Sequence, residues 1–140
     1  MTMDRESLKA IIRAHYDATI NRFDPAAIDR QVAPDFIDHT SAGEQVRGPK
    51  GVKSQIAGLH AAFPDLRVEI MDMVAEDDLV AVRSRFCGTH RGPFRGIAPT
   101  GRGVEVTGTF FWKVETVSGR IKERWGLLDA AGLMRQLGVP

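Results

Sequence analysis

The chain has 140 residues, enough for one domain with a sizeable core. Nineteen basic residues stand against 18 acidic ones, a net charge of +1, and hydrophobic residues make up 43%. That balance speaks against broad nucleic-acid or anionic-membrane binding, where a basic excess is expected, and no apolar run approaches the ~20 residues of a membrane helix.

The N-terminal stretch MTMDRESLKAII is charged and carries no apolar signal core, so the expected location is the cytoplasm. In "DRESLKAIIRAHYDATINRFD", Leu8, Ile11, Ile12, His15, Tyr16, Ile20 and Phe23 recur at helical spacing. This predicts an amphipathic helix of about five turns. Asp24 and Pro25 read as a cap and a first helical proline, opening a short helix to about Gln31. "DFIDH" suits a short strand. A third helix starts near Pro49, with Val52, Ile56, Leu59 and Phe63 as its buried stripe, and Pro64 ends it.

From there the period changes to two. "LRVEIMDMVA" puts Leu66, Val68, Ile70 and Val74 on one face. "LVAVRSRFCGTH", "GVEVTGTFFWKVET" and "RIKERWGLLD" follow as strands of an antiparallel meander. The tail "AAGLMRQLGVP" suits a closing helix. Helices first and strands after mean an α+β fold. A sheet of this length has to curl around two long helices, as a cone of mixed, mostly antiparallel strands with a pocket inside. The single cysteine, Cys87, excludes an internal disulfide and a cysteine-pair metal site. No histidine pair has HxxxH or HExxH spacing, so no metal is expected.

"GTHRGPFRGIAPTGRGVEV" raises the question of a phosphate site. Gly96 to Gly103 nearly matches GxxxxGK[ST], but Arg102 replaces the lysine and Gly103 the hydroxyl residue. A phosphate loop also feeds a helix, whose N-terminal amides bind the anion. Here a strand follows. The segment from Arg91 to Arg102 therefore reads as a rim loop, with Pro93, Phe94, Ile97 and Pro99 able to fold over an apolar opening.

"DFIDH", "AAFPDL", "GTHRGPFRGIAPTG", "IKERWGLLD" and "GLMRQLG" together resemble the SnoaL-like polyketide cyclases, also labelled predicted ester cyclases, within the NTF2-like α+β barrel superfamily. The resemblance runs from the first helix to Gly138. It implies a single NTF2-like domain over residues 1–140. It also implies a cofactor-free enzyme that closes a polyketide ring by intramolecular aldol condensation, with an aspartate in an apolar pocket as general acid/base. The matching position is Asp129, in "WGLLD".

Such chemistry needs a base for a proton alpha to a carbonyl and donors for the oxyanion. Asp129 shares strand parity with Ile121, Glu123, Trp125 and Leu127, which suggests the inward face; it equally suits the N-cap of the last helix. His39 and His90, near strand ends, are the candidate catalytic donors, or are structural. His15 and His60 line either the pocket or the core. Tyr16, Phe63, Phe110, Trp112 and Trp125 are the expected substrate-binding walls. Arg83 and Arg85 share a face that reads as outer surface or interface, with a buried arginine beside Glu123 or Asp129 as the alternative. The expected ligand is a hydrophobic, carbonyl-bearing small molecule. The rival readings are a binding module without turnover and a purely structural dimer module. The face of Thr107, Thr109, Phe111 and Lys113 is expected to make a homodimer.

Overall fold

Asp4 starts the first helix, accepting the Ser7 amide at 2.7 Å. That helix, α1 (Arg5–Tyr16), buries Leu8, Ile12, His15 and Tyr16. A computed structural model describes residues 3–39 and 45–139. The apolar period predicts one unbroken helix to Phe23; instead the helix widens after Tyr16 into a π turn, Asp17–Asn21. The Thr19 hydroxyl donates to the His15 carbonyl at 2.7 Å inside this turn. Single π turns of this kind are frequent beside functional sites. Asp24 then caps α2 (Pro25–Gln31) by accepting the Ala27 amide.

The chain continues through β1 (Val32–Asp38), β2 (Val46–Arg47), α3 (Gly48–Ala62), β3 (Arg67–Glu76), β4 (Leu79–Thr89), β5 (Gly103–Glu115), β6 (Arg120–Leu128) and α4 (Ala130–Gln136). β1 begins three residues before "DFIDH". Pro34, which lacks an amide hydrogen, falls in the irregular stretch between its pairings at Val32 and Ile37. The strands form one sheet in the order β2-β1-β6-β5-β4-β3, antiparallel except for the parallel pair β1–β6. This is the α+β, mostly antiparallel architecture expected from the sequence. α1 packs on β3 and β4, and α3 on β1 and β2. Leu8 and Ile12 meet Val80, Val82, Val114 and Ile121 in the main core. A smaller cluster gathers Val106, Leu133 and Leu137 under α4. Among the described residues no helix is long and apolar enough to cross a membrane.

Two bulges change what each strand face carries. In β3 the pairing skips Met71, between Ile70↔Ser84 and Asp72↔Arg83. Met73 and Ala75 therefore join Val68 and Ile70 in packing on the core, and Val74 is left 65% exposed. In β6 it skips Lys122, between Val114↔Ile121 and Lys113↔Glu123. One extra residue in a strand reverses the face of everything beyond it. The expected inward sets, Val74 in β3 and Trp125 and Leu127 in β6, are corrected on this ground.

The segment between β4 and β5 is a strap clamped at both ends. His90 and Arg102 pair through the His90 amide at 2.9 Å, and the Gly101 amide returns to the His90 carbonyl at 2.8 Å. Phe94 and Ile97 close a tight turn over Arg95 and Gly96, both at positive φ. The amides of Arg91 and Gly92 both donate to the Ala62 carbonyl at the end of α3. A Cβ on Gly92 would run into the Ala61 carbonyl oxygen, which is backbone and cannot turn away. Gly92→Ala is therefore expected to cost about 1–3 kcal/mol of stability in urea unfolding. Gly58, in α3 with open space around its Cβ position, is the contrast: Gly58→Ala should stabilise by roughly 0.5–1 kcal/mol.

Candidate active site

Between the sheet and α1 and α3 lies a cavity of about 630 Å³. Its polar lining is His15, Tyr16, Thr19, Asp38, Gln55 and Arg124, and the remainder is mostly apolar, with Ile20, Phe36, Ile56, Phe110, Trp112 and Leu133 among the walls. Phe94 and Arg95 bring the strap into the same lining. A cavity of this size and composition suits a small organic molecule.

His15 and Tyr16 close α1, immediately before the π turn. His15 is buried, and its Nδ1 lies 2.8 Å from the Gln31 Oε1. Burial holds the His15 imidazolium down, to about 4; the Gln31 hydrogen bond works against this, and the Arg124 guanidinium adds to it. His15 is a neutral imidazole at physiological pH. Tyr16 receives the Trp112 indole N–H at 3.3 Å and the Ser84 hydroxyl at 3.4 Å on its oxygen. Burial raises its pKa, so it stays a phenol, and its own hydrogen is left for a third partner.

The bulge at Lys122 turns Arg124 and Gly126 to the cavity. Arg124 Nη1 donates to Asp38 Oδ2 at 2.7 Å, across the parallel β1–β6 pairing. Its guanidinium lies 4.5 Å from the Phe110 ring centre and 5.2 Å from that of Trp112. Phe110 sits opposite Gly126 in the register. A Cβ on Gly126 would run into the edge of the Phe110 ring, so glycine is what lets the ring lie back across the strands.

The sequence profile of the SnoaL-like polyketide cyclases matches residues 10–137. The chain belongs to that family. IdmH, a candidate polyketide cyclase of Streptomyces antibioticus, is 31% identical over 94% of this chain and 99% of its own, with a TM-score of 0.79. TsrD of Streptomyces laurentii is 29% identical over 99% of both chains, at 0.87. AclR of Streptomyces galilaeus, a candidate hydroxylase, is 28% identical over 96% of this chain and 83% of its own, at 0.81. No curated protein matches significantly. The solved structures of this SnoaL-like fold thus carry names for more than one reaction, and the chemistry has to be read from the site.

Of the residues singled out in the sequence, this SnoaL-like cavity gathers His15, Tyr16, Phe63, Phe110 and Trp112. The others lie elsewhere. Asp129 is exposed and caps α4, accepting the Gly132 amide at 2.9 Å; its neighbours Leu128 and Ala130 line the cavity, but it does not. His39 stacks on Trp125, with ring centres 4.9 Å apart, and its Nε2 lies 3.2 Å from Glu123, beyond the bulge on the opposite face from Arg124. His60 bonds the Thr19 carbonyl and stacks on Phe23. His90 is buried behind Phe63 and Phe94, its Nδ1 accepting the Thr100 amide at 3.2 Å; among the described residues nothing pairs with its Nε2. Arg83 and Arg85 face outward, paired with Asp72 and with Glu69 and Glu105. The inward-facing, half-buried arginine is Arg124, which period-two reading assigns to the outside. The available signal was Gly126, a glycine inside a strand, which marks a bulge or a close approach.

His15 gives a measurable pH dependence. In the unfolded chain it takes a proton near 6.5, and in the folded one only near 4. Folding to the neutral form therefore contributes stability that is full above 6.5, falls with pH through the window from 6.5 to 4, and is flat below. The native protein is expected to lose roughly 3 kcal/mol more than His15→Gln across that window, read as the difference between two urea-unfolding series.

Proposed function

We propose that the chain is a cofactor-independent proton-transfer enzyme, acting on a hydrophobic molecule that carries an enolisable carbonyl, with intramolecular aldol ring closure as the reaction. The observation that carries this reading is a neutral imidazole, His15, beside a phenol with a spare hydrogen, Tyr16, in a largely apolar cavity. His15 removes the proton alpha to a carbonyl, and the electron pair moves onto the carbonyl oxygen. The Tyr16 hydroxyl donates to that enolate, where a preorganised donor in a dry site counts most. The enolate carbon attacks a second carbonyl of the same molecule. The new alkoxide takes its proton back from the His15 imidazolium, so no net proton is consumed. Arg124, held between Asp38 and the rings of Phe110 and Trp112, sets the positive end of the cavity. Family membership supports the cyclase class, and the names of IdmH and TsrD's fellow structures leave the substrate to experiment.

We further propose that a second copy of the chain covers the outer sheet face. The register sets Val74, Ala81, Phe111 and Trp125 in one row across β3 to β6, and Leu127 stands in the next row beside Thr109. Phe111 is 47% and Leu127 79% exposed. Flanking ion pairs of both signs, Arg83–Asp72 and Arg85–Glu105, suit a two-fold axis that sets each patch on its own copy.

The first reading is tested without knowing the substrate. A panel of cyclic β-diketones and aryl ketones in heavy water should exchange their alpha hydrogens in the presence of the protein. His15→Gln should slow this by about 10²–10⁴-fold, and Tyr16→Phe by about 10²-fold. Ligand binding with no exchange would instead favour a binding module. For the second, sedimentation at micromolar concentration should give twice the 15.4 kDa chain mass, and Phe111→Lys with Leu127→Glu should give the single chain.

A further inference from the structure

An imidazole serves as a base only if the nitrogen facing the substrate lacks a hydrogen. In His15 this is decided by a residue outside the cavity lining. Gln31, the last residue of α2, meets His15 Nδ1 through its Oε1 at 2.8 Å. The same amide donates through Nε2 to the Ala14 carbonyl at 3.4 Å, which turns its oxygen, not its nitrogen, toward the ring. A carbonyl oxygen only accepts, so Nδ1 must carry the hydrogen. The neutral ring then has its lone pair on Nε2, and among the described residues no group donates to that atom. The Trp112 ring packs edge-on against the imidazole, with centres 5.3 Å apart, and holds its plane.

We infer that Gln31 is the positioning residue of this site: it locks His15 as the Nδ1–H tautomer and so makes Nε2 the proton acceptor. Gln31 touches no reacting atom. It acts through His15, and the inference rests on the reading of His15 as the base. A glutamine does this differently from a carboxylate. It selects the tautomer without adding a negative charge that would favour the imidazolium. The charged groups around the ring are Arg124, from β6, and its partner Asp38, from β1, with Tyr16 beside it on α1. Burial and Arg124 disfavour the imidazolium, against the Gln31 hydrogen bond, which by itself favours it, so the ring stays neutral while Gln31 fixes which nitrogen carries the hydrogen.

The experiment is long-range proton–nitrogen NMR of the His15 ring in the full chain at pH 7, assigned with His15→Gln. The expected spectrum shows a protonated Nδ1 and a bare Nε2; a protonated Nε2, or both, overturns the inference. Gln31→Met should lose the single-tautomer signature and lower alpha-hydrogen exchange on the order of 10- to 100-fold at unchanged half-saturation. Gln31→Glu keeps the acceptor, and so a bonded, folded site. It should keep Nδ1 protonated and move the acid limb of exchange to higher pH, and an unmoved limb counts against the inference. An unchanged ring signature in Gln31→Met overturns the role of Gln31 whatever the activity. A tautomer that does follow residue 31, with exchange indifferent to His15→Gln, supports the positioning and overturns the catalytic reading alone.

Discussion

The pairing of Arg124 with Asp38 is the constraint on which the concave side of this protein is built. The two residues are register partners across the one parallel strand pair, and Asp38 is almost wholly enclosed. A carboxylate in that position without its cation would be costly, on the order of 3–5 kcal/mol for a broken buried pair. The pair therefore holds β1 and β6 in register where few ladder bonds do so, since their pairing is irregular between Val32 and Ile37. It also dictates the rest of the wall. Arg124 can face inward only because the strand gains a residue at Lys122, and its guanidinium then has to lie over Phe110 and Trp112. Phe110 can lie flat beneath it only because Gly126 stands opposite.

The chemistry of the cavity follows from the same arrangement. A positive charge fixed close to His15 adds to the effect of burial and keeps the imidazole neutral. The indole N–H of Trp112, the ring that Arg124 covers, reaches the Tyr16 oxygen. His15, Tyr16 and Arg124 are thus held by packing against one another. Their positions come from α1, β5 and β6, which are regular elements, while the strap contributes Phe94 and Arg95 to the lining. Sites held on such elements are more rigid than sites on loops.

Asp129, the position to which the sequence resemblance points, caps α4 and stands outside the cavity lining. The Asp129 carboxylate accepts the Gly132 amide of α4, an interaction its place before "AAGLMRQL" makes natural. Gly132 gives that carboxylate its room, because a Cβ there would strike the Asp129 oxygens.

By itself the sequence determined the order of the long elements, the helix start at Asp24, the stop at Pro64, the mostly antiparallel sheet and the rim position of the strap. These depend on local signals: caps, prolines and periods read over a few residues. It also marked His15, Tyr16, Phe63, Phe110 and Trp112, because they fall on apolar stripes or before any bulge. What lay beyond Met71 and Lys122 was decided only by the tertiary structure. A bulge adds a residue without changing the period on either side, and its place is set by the partner strand, so Val74, Trp125 and Leu127 moved outward and Arg124 inward. The π turn and the contact of Gln31 with His15 belong to the same class. Both depend on how α1 and α2 pack, and packing is where a side chain's neighbours, and so its proton, are settled.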